Sequence, residues 1–344
     1  VQKQLLWMSI GLAVMIGAAF FDYRQYRRLI PVIYLLLLGL LVGVLFTAAK
    51  NNTHRWFDLG FMDFQPSELA KIILVLVCAC FLAQRKNHIN RPSTLLGAAL
   101  GMGIPAVLIL IEPDLGSALL IGVLLVVMLG LAGLDKKYLL LLLLLLLLLA
   151  GGLFGILYQA SAGFSHNISD TDLPAWLPLQ GYQAMRLIIF INPYMDSLGA
   201  GYHIIQSEIA VGSGGITGKG YGQGTQVQGN FLPYHHTDFI FSVVGEEFGF
   251  CGAAVLILLY LSLLLRILHI AGNARDQFGA LLAGGIATLF ALQILINIGM
   301  TIGLMPITGI PLPLLSYGGS SILMNMLALG MVLSVQRSSA TRIF

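Results

Sequence analysis

The segment Phe231-Leu-Pro-Tyr-His-His-Thr-Asp-Phe-Ile-Phe241 ends a long polar, glycine-rich stretch and opens a hydrophobic run of membrane length. Asp238 therefore falls at the mouth of an expected transmembrane helix, with Pro233, His235, His236 and Thr237 just before it. A carboxylate at the membrane edge is costly unless it has a partner or a task. Removing a proton from a hydroxyl is one such task, and partial burial strengthens a carboxylate as a base. His235 and His236 are rival bases, because imidazole titrates near neutrality. Glu246 and Glu247 lie two to three turns deeper, and at 3.6 residues per turn only Glu246 returns to within roughly 80° of Asp238.

The remaining polar residues that could do chemistry fall in loops on the same side. Asn51-Asn-Thr-His-Arg55-Trp-Phe-Asp58 is followed by Gln65-Pro-Ser-Glu-Leu-Ala-Lys71. Pro66 with Ser67 and Glu68 reads as a helix N-terminus. Glu68 and Lys71, three residues apart, share a helix face. They form an ion pair at the membrane edge, or Lys71 is aimed at an anionic substrate; the spacing allows both. Glu112-Pro-Asp114 is a tight turn between two apolar runs, in which Asp114 caps the next helix, orients a basic residue or holds a metal. Arg186 starts an apolar run too short to span. The glycine-rich run 212–222, with Lys219, resembles a phosphate loop in composition only, since the Walker spacing is absent. Its amides and Lys219 could still cradle an anion. Three prolines and the Gly-Gly pair of 305–320 indicate broken helix or re-entrant backbone, which survives at membrane depth only inside protein or against a cavity.

The elements that must position these residues are transmembrane helices. Hydrophobic residues make up 58% of the 344, charged ones only 10%, and the mean hydropathy is +0.89. A soluble domain carries about 25% charged residues. The expected fold is an all-α polytopic integral membrane protein, a single membrane domain over 1–344. Nine transmembrane helices are expected at 4–21, 29–49, 66–84, 95–111, 115–134, 137–158, 239–265, 278–304 and 316–336. Between the sixth and seventh lies a large loop, 159–238, long enough to require short helices of its own. The eleven leucines 139–149 make a wall suited to lipid. Cys78, Cys80 and Cys251 lie in apolar runs and read as packing residues rather than a metal or disulfide framework.

Charge alternates between loops. One set holds twelve of the eighteen basic residues and sums to +9; the other sums to −6. The positive-inside rule makes the first set cytoplasmic. The loops with Arg55, Glu112, Asp114, Lys219 and Asp238 then face outward. With nine spans and a cytoplasmic C-terminus, residue 1 is expected outside, preceded by a further helix. A net charge of +3 gives no reason to expect nucleic acid.

Taken in order, these motifs resemble the SEDS family (shape, elongation, division and sporulation), the family of RodA and FtsW. The resemblance covers essentially the whole chain. It rests on Arg55-Trp56, Gln65-Pro-Ser-Glu-Leu-Ala-Lys71, Glu112-Pro-Asp-Leu-Gly116 and Asp196-Ser-Leu-Gly-Ala-Gly-Tyr-His-Ile-Ile-Gln-Ser207. It continues through Gly214-Gly, Gly218-Lys-Gly220, His236-Thr-Asp-Phe-Ile-Phe241 and Pro311-Leu-Pro-Leu-Leu-Ser-Tyr-Gly-Gly-Ser320. The form of 199–207 is RodA-like. Where the family has Pro-Glu, this chain has Pro233-Tyr234.

The resemblance implies ten spans, the first of them absent here. It implies a peptidoglycan glycosyltransferase that polymerises lipid II into β-1,4-linked glycan on the outer face of the bacterial cytoplasmic membrane, for cell elongation. The family's essential carboxylate maps onto Asp238. Lipid II is α-linked, so the reaction inverts the sugar carbon and needs one base and no covalent intermediate. Arg55, Lys71, Arg186 and Lys219, with Glu68 beside Lys71, are the expected residues for the substrate and its pyrophosphate. A divalent cation (Mg or Mn), with Asp114, is an alternative neutraliser. The implied partners are a class B penicillin-binding protein transpeptidase and other elongation-complex membrane proteins. A lipid II flippase or other transporter is the rival reading. Against it, charged residues avoid the centres of the spans, where Gln293 and Asn297 are the main polar groups.

Overall fold

Each expected apolar run overlaps a helix. The structure is a computed structural model that describes residues 2–47, 55–60, 62–161, 181–196, 199–229, 231–232 and 236–340. In chain order the helices are α1 Gln2–Phe20, α2 Tyr26–Val44, α3 Pro66–Gln84, α4 Pro92–Ile111, α5 Leu115–Leu131 and α6 Lys136–Ser161. There follow α7 Gly181–Ile191, α8 Ala200–Ser213, α9 Thr225–Gln228, α10 Ile240–Gly272, α11 Gln277–Thr301 and α12 Gly319–Ala340. Among the described residues, seven helices are long and apolar enough to cross a membrane: α1, α2, α3, α4, α10, α11 and α12. The apolar α5 is shorter, at 17 residues, and the leucine-rich α6 has 26. The fold is a multi-pass, all-α membrane protein. A two-residue hairpin, β1 Phe57–Asp58 with β2 Asp63–Phe64, was not expected. Val1, Tyr234 and His235, and the 162–180 part of the large loop, lie outside the described residues.

Two compact units divide the chain. One comprises Val1–Leu143, Leu263–Leu292 and Tyr317–Phe344; the other Leu144–Ser262 and Gln293–Ser316. In the first, α3 is the most enclosed helix, with α2, α4, α5 and α12 against it. Small residues bring helices together, as in most membrane bundles. Gly11 faces Met326 and Gly330 faces Met15 and Ala18, which lets α1 lie along α12. Gly285 does the same against Val75 and Met128. On the basic side, Asp276 accepts hydrogen bonds from Tyr23 Oη at 2.9 Å and Arg27 Nη2 at 2.8 Å. The leucine run of α6 is exposed along Leu140, Leu141, Leu147 and Leu148, the bare apolar wall its composition predicts.

In the second unit, the described part of the large loop carries short helices. The run after Arg186 becomes the short helix α7, followed by a 3₁₀ turn, Pro193–Asp196, and by α8. Ile189, Ile204, Leu232, Phe239 and Ile307 form a buried cluster joined by Met185. Each such side chain contributes about 1.5–3 kcal/mol on burial. The cluster thereby ties together α7, α8, the turn before α10 and the segment after α11, which carry the polar residues described next.

α10 is not the uninterrupted span its hydropathy suggests. Gly249 (φ 64°, ψ −162°) breaks it. A break orphans carbonyls on one side and amides on the other, and a membrane-edge site must satisfy both sets. The glycine-rich run does so. Lys219 N donates to Glu246 O at 3.0 Å and Gly220 N to Glu247 O at 2.9 Å. Phe250 N and Cys251 N donate in turn to Gly215 O and Ile216 O, at 2.9 and 3.0 Å. A Cβ at Gly218 would collide with the Glu247 carbonyl, and its φ of +80° also favours glycine.

Candidate active site

Asp238 lies half-buried in the turn before α10. Two buried side chains hold that turn. Asn297, near the end of α11, donates from Nδ2 to the Asp238 carbonyl at 2.9 Å. Ser316 Oγ donates to the Thr237 carbonyl at 2.6 Å. The carboxylate faces Gly309 (φ +74°). Asp238 Oδ2 and Arg186 Nη1 each lie 3.7 Å from where a Cβ on Gly309 would sit. Arg186 reaches this point from α7, so a carboxylate and a guanidinium from distant parts of the sequence flank one glycine.

His203 of α8 joins this neighbourhood. Its ring packs against Phe239, centroids 6.4 Å apart. Burial holds its pKa below the ordinary imidazole value; the positive charge of Arg186 pushes the same way and Asp196 opposes it. In the sequence this histidine stands inside the 196–207 motif with no role of its own. Its only signal was a histidine in a polar Gly-Tyr-His run. His236, one of the two rival bases, is exposed.

The first unit holds the other group. Arg55 donates from Nε to the Glu112 carbonyl at 2.8 Å and from Nη2 to the Pro113 carbonyl. Its guanidinium thus clamps the turn between α4 and α5. Asp114 caps α5, as expected, accepting from Ser117 N at 3.1 Å, and also takes a hydrogen bond from Ser67 Oγ at 3.2 Å. Glu112 is fully buried, and neither carboxyl oxygen has a hydrogen-bond partner among the described residues. Burial pushes its pKa up to about 8; the charge of Asp114 adds to the rise and Arg55 opposes it.

Pro66 stands at the first position of α3, and Glu68 and Lys71 form an ion pair of 2.7 Å in its first turns. Lys71 is 1% exposed, so its ammonium points into protein and not to lipid. Among the described residues there is no cluster of three or more His, Cys, Asp or Glu side chains able to hold a metal. Asp114 spends its oxygens on the Ser117 amide and the Ser67 hydroxyl, the pattern of a cap.

Lys219 stands apart from both groups. Its Nζ lies 2.7 Å from Glu246 Oε1, which also accepts from Thr225 Oγ1 and Gln226 N at 3.0 Å each. The amides of Gly218, Lys219 and Gly220 are all bonded to backbone carbonyls. Glu246, the competitor of Asp238 on helical phase, is therefore committed to Lys219.

These placements can be set beside known proteins. A family model for cell cycle proteins, FtsW, RodA and SpoVE, matches residues 1–341. The peptidoglycan glycosyltransferase MrdB of Escherichia coli (strain K12) is 37% identical over 338 residues, covering 97% of this chain and 85% of its own. The peptidoglycan glycosyltransferase RodA of Treponema pallidum (strain Nichols) is 33% identical over 386 residues, covering 97% and 88%. Among solved structures, a chain from a peptidoglycan synthase complex that coordinates polymerization and crosslinking superposes with a TM-score of 0.78 at 32% identity, covering 98% of this chain and 89% of its own. The crystal structure of the rod shape determining protein RodA of Thermus thermophilus gives a TM-score of 0.68 at 30% identity, covering 98% and 87%.

Proposed function

Because the chain belongs to the SEDS family of FtsW, RodA and SpoVE and is a RodA-like peptidoglycan glycosyltransferase, we propose that it polymerises lipid II with Asp238 as the base. The observation that carries this reading is the pair of Asp238 Oδ2 and Arg186 Nη1 against Gly309. The Asp238 carboxylate takes the proton of the acceptor 4-hydroxyl. That oxygen attacks the anomeric carbon of the donor, and the lipid pyrophosphate leaves from the opposite face. One displacement inverts the α-linked donor to a β-1,4 linkage, by the logic of inverting glycosidases. The guanidinium of Arg186 supports the base and offers paired N–H donors to pyrophosphate oxygens.

Arg55, Glu68 and Lys71 are proposed to serve substrate binding as well. Lys219, fastened to Glu246, contributes by holding the outer loop rather than by touching phosphate. The leaving pyrophosphate is neutralised by the Arg186 guanidinium. The active face is the outer side of the bacterial cytoplasmic membrane, by the charge split of the loops. A class B penicillin-binding protein is the proposed partner, supported by the similarity to a chain of a synthase complex that both polymerises and crosslinks.

Purified Asp238→Asn protein given labelled lipid II, with moenomycin to silence contaminating polymerases, tests the assignment. Loss of at least about 100-fold in rate, with membrane insertion and transpeptidase binding intact, is expected for removal of a general base. Near-normal glycan synthesis would overturn it.

A further inference from the structure

Asn297 is fully buried, one turn before the end of α11. Its amide sends one N–H to the Asp238 carbonyl at 2.9 Å and the other to the Ile310 carbonyl at 2.8 Å. Both acceptors are backbone carbonyls, so the NH₂ end of the amide must face them. Its Oδ1 is buried with no hydrogen-bond partner among the described residues. A buried acceptor left unmade is unfavourable. The position therefore carries a polar group held by its donors alone among the described residues.

The two chains that Asn297 joins are the two that meet at the candidate site. One carries Asp238. The other carries Gly309, one residue before Ile310, against which the Asp238 carboxylate and Arg186 guanidinium lie. Ser316 completes the frame. It accepts from Leu312 N at 2.8 Å and donates to the Thr237 carbonyl at 2.6 Å. Two side chains thus set the spacing between the segment 309–316 and the turn 237–238, both through backbone carbonyls.

We infer that Asn297 is a positioning residue for the glycosyl transfer: it fixes the backbone of Asp238 against Gly309, and with it the reach of the carboxylate to the acceptor hydroxyl. The inference rests on the reading of Asp238 as the base. Displacing a catalytic group by about 1 Å costs on the order of 100-fold in rate without a matching loss of binding. A group whose role is only to pack the helix would instead lower stability and leave the chemical step alone.

The test compares Asn297→Ala, Ser316→Ala, Asp238→Asn and Gln293→Ala in purified full-length protein. Gln293 lies on the same helix, is 2% exposed, and its Oε1 has no hydrogen-bond partner among the described residues. It serves as the control for a buried polar group as such. The readouts are kcat and KM for lipid II polymerisation, on samples that are monodisperse and show a cooperative melt. Asn297→Ala is expected to lower kcat about 10- to 100-fold with KM within about threefold. Ser316→Ala should follow the same pattern more weakly, and Gln293→Ala should keep kcat within about threefold. Should Asn297→Ala fail the folding criterion, Ser316→Ala carries the test alone.

A kcat loss in Gln293→Ala as large as in Asn297→Ala overturns the inference, as does a loss confined to KM. Full kcat in Asn297→Ala beside a dead Asp238→Asn overturns the inference and leaves the base in place. An active Asp238→Asn removes the base itself, and the inference with it.

Discussion

Replacing Glu112 with glutamine isolates the cost of a buried carboxyl from everything else in its turn. The amide keeps the size and the backbone carbonyl to which Arg55 donates. Burial, with the nearby charge of Asp114, moves the carboxyl from 4.5 to about 8. The native protein therefore keeps a proton that the unfolded chain has already lost between those two values. Stability must fall as pH rises through that window and level off above it. At 1.36 kcal/mol per unit the ceiling is about 5 kcal/mol, and relaxation around the charge brings a realistic figure to about 2–4 kcal/mol. Glutamine cannot ionise, so the variant escapes this loss. Thermal melts of wild type and Glu112→Gln in the same detergent, from pH 5 to pH 9, check it. The variant should melt close to wild type at pH 5 and several degrees higher at pH 8–9. A difference that stays flat with pH, or a wild type that gains on the variant as pH rises, would refute the account of Glu112 as a buried, proton-holding group.

Three further perturbations follow from the same geometry. Lys71→Met leaves Glu68 charged and buried and should cost about 3–5 kcal/mol, seen as a lower melting temperature, whereas Lys71→Met with Glu68→Leu should recover most of it. Gly218→Ala forces a Cβ against the Glu247 carbonyl in a left-handed backbone and should cost about 1–3 kcal/mol, read by melting and by faster proteolysis of the 214–228 segment. Lys219→Met should lower the melting temperature by stranding the Glu246 carboxylate, and Glu246→Gln in the same chain should restore part of the loss; a change in KM for lipid II alone, with melting unaltered, would return Lys219 to the pyrophosphate.

Composition and hydropathy were enough to read a multi-pass all-α membrane protein, because an apolar run of about 20 residues has one favourable environment and one backbone form within it. Pro66 at the start of α3, Asp114 as a cap and the Glu68–Lys71 pair were legible for a similar reason. Caps and neighbours at i,i+3 are local, and local geometry is written in spacing. The order of the motifs was enough to name the family. What spacing could not decide is which chains meet. The kink at Gly249 is invisible to hydropathy, since a glycine inside an apolar run reads the same whether its φ is helical or left-handed. The partners of the glycine-rich run were equally hidden: the amides of Lys219 and Gly220, free to cradle an anion on sequence grounds, are taken by the carbonyls that the kink orphans. The meeting of Asp238 with Arg186 at Gly309, and the hydrogen bond of Asn297 to the Asp238 carbonyl, join residues more than 50 positions apart. Such contacts are set by how helices pack, a property of three-dimensional surfaces that no one-dimensional period encodes.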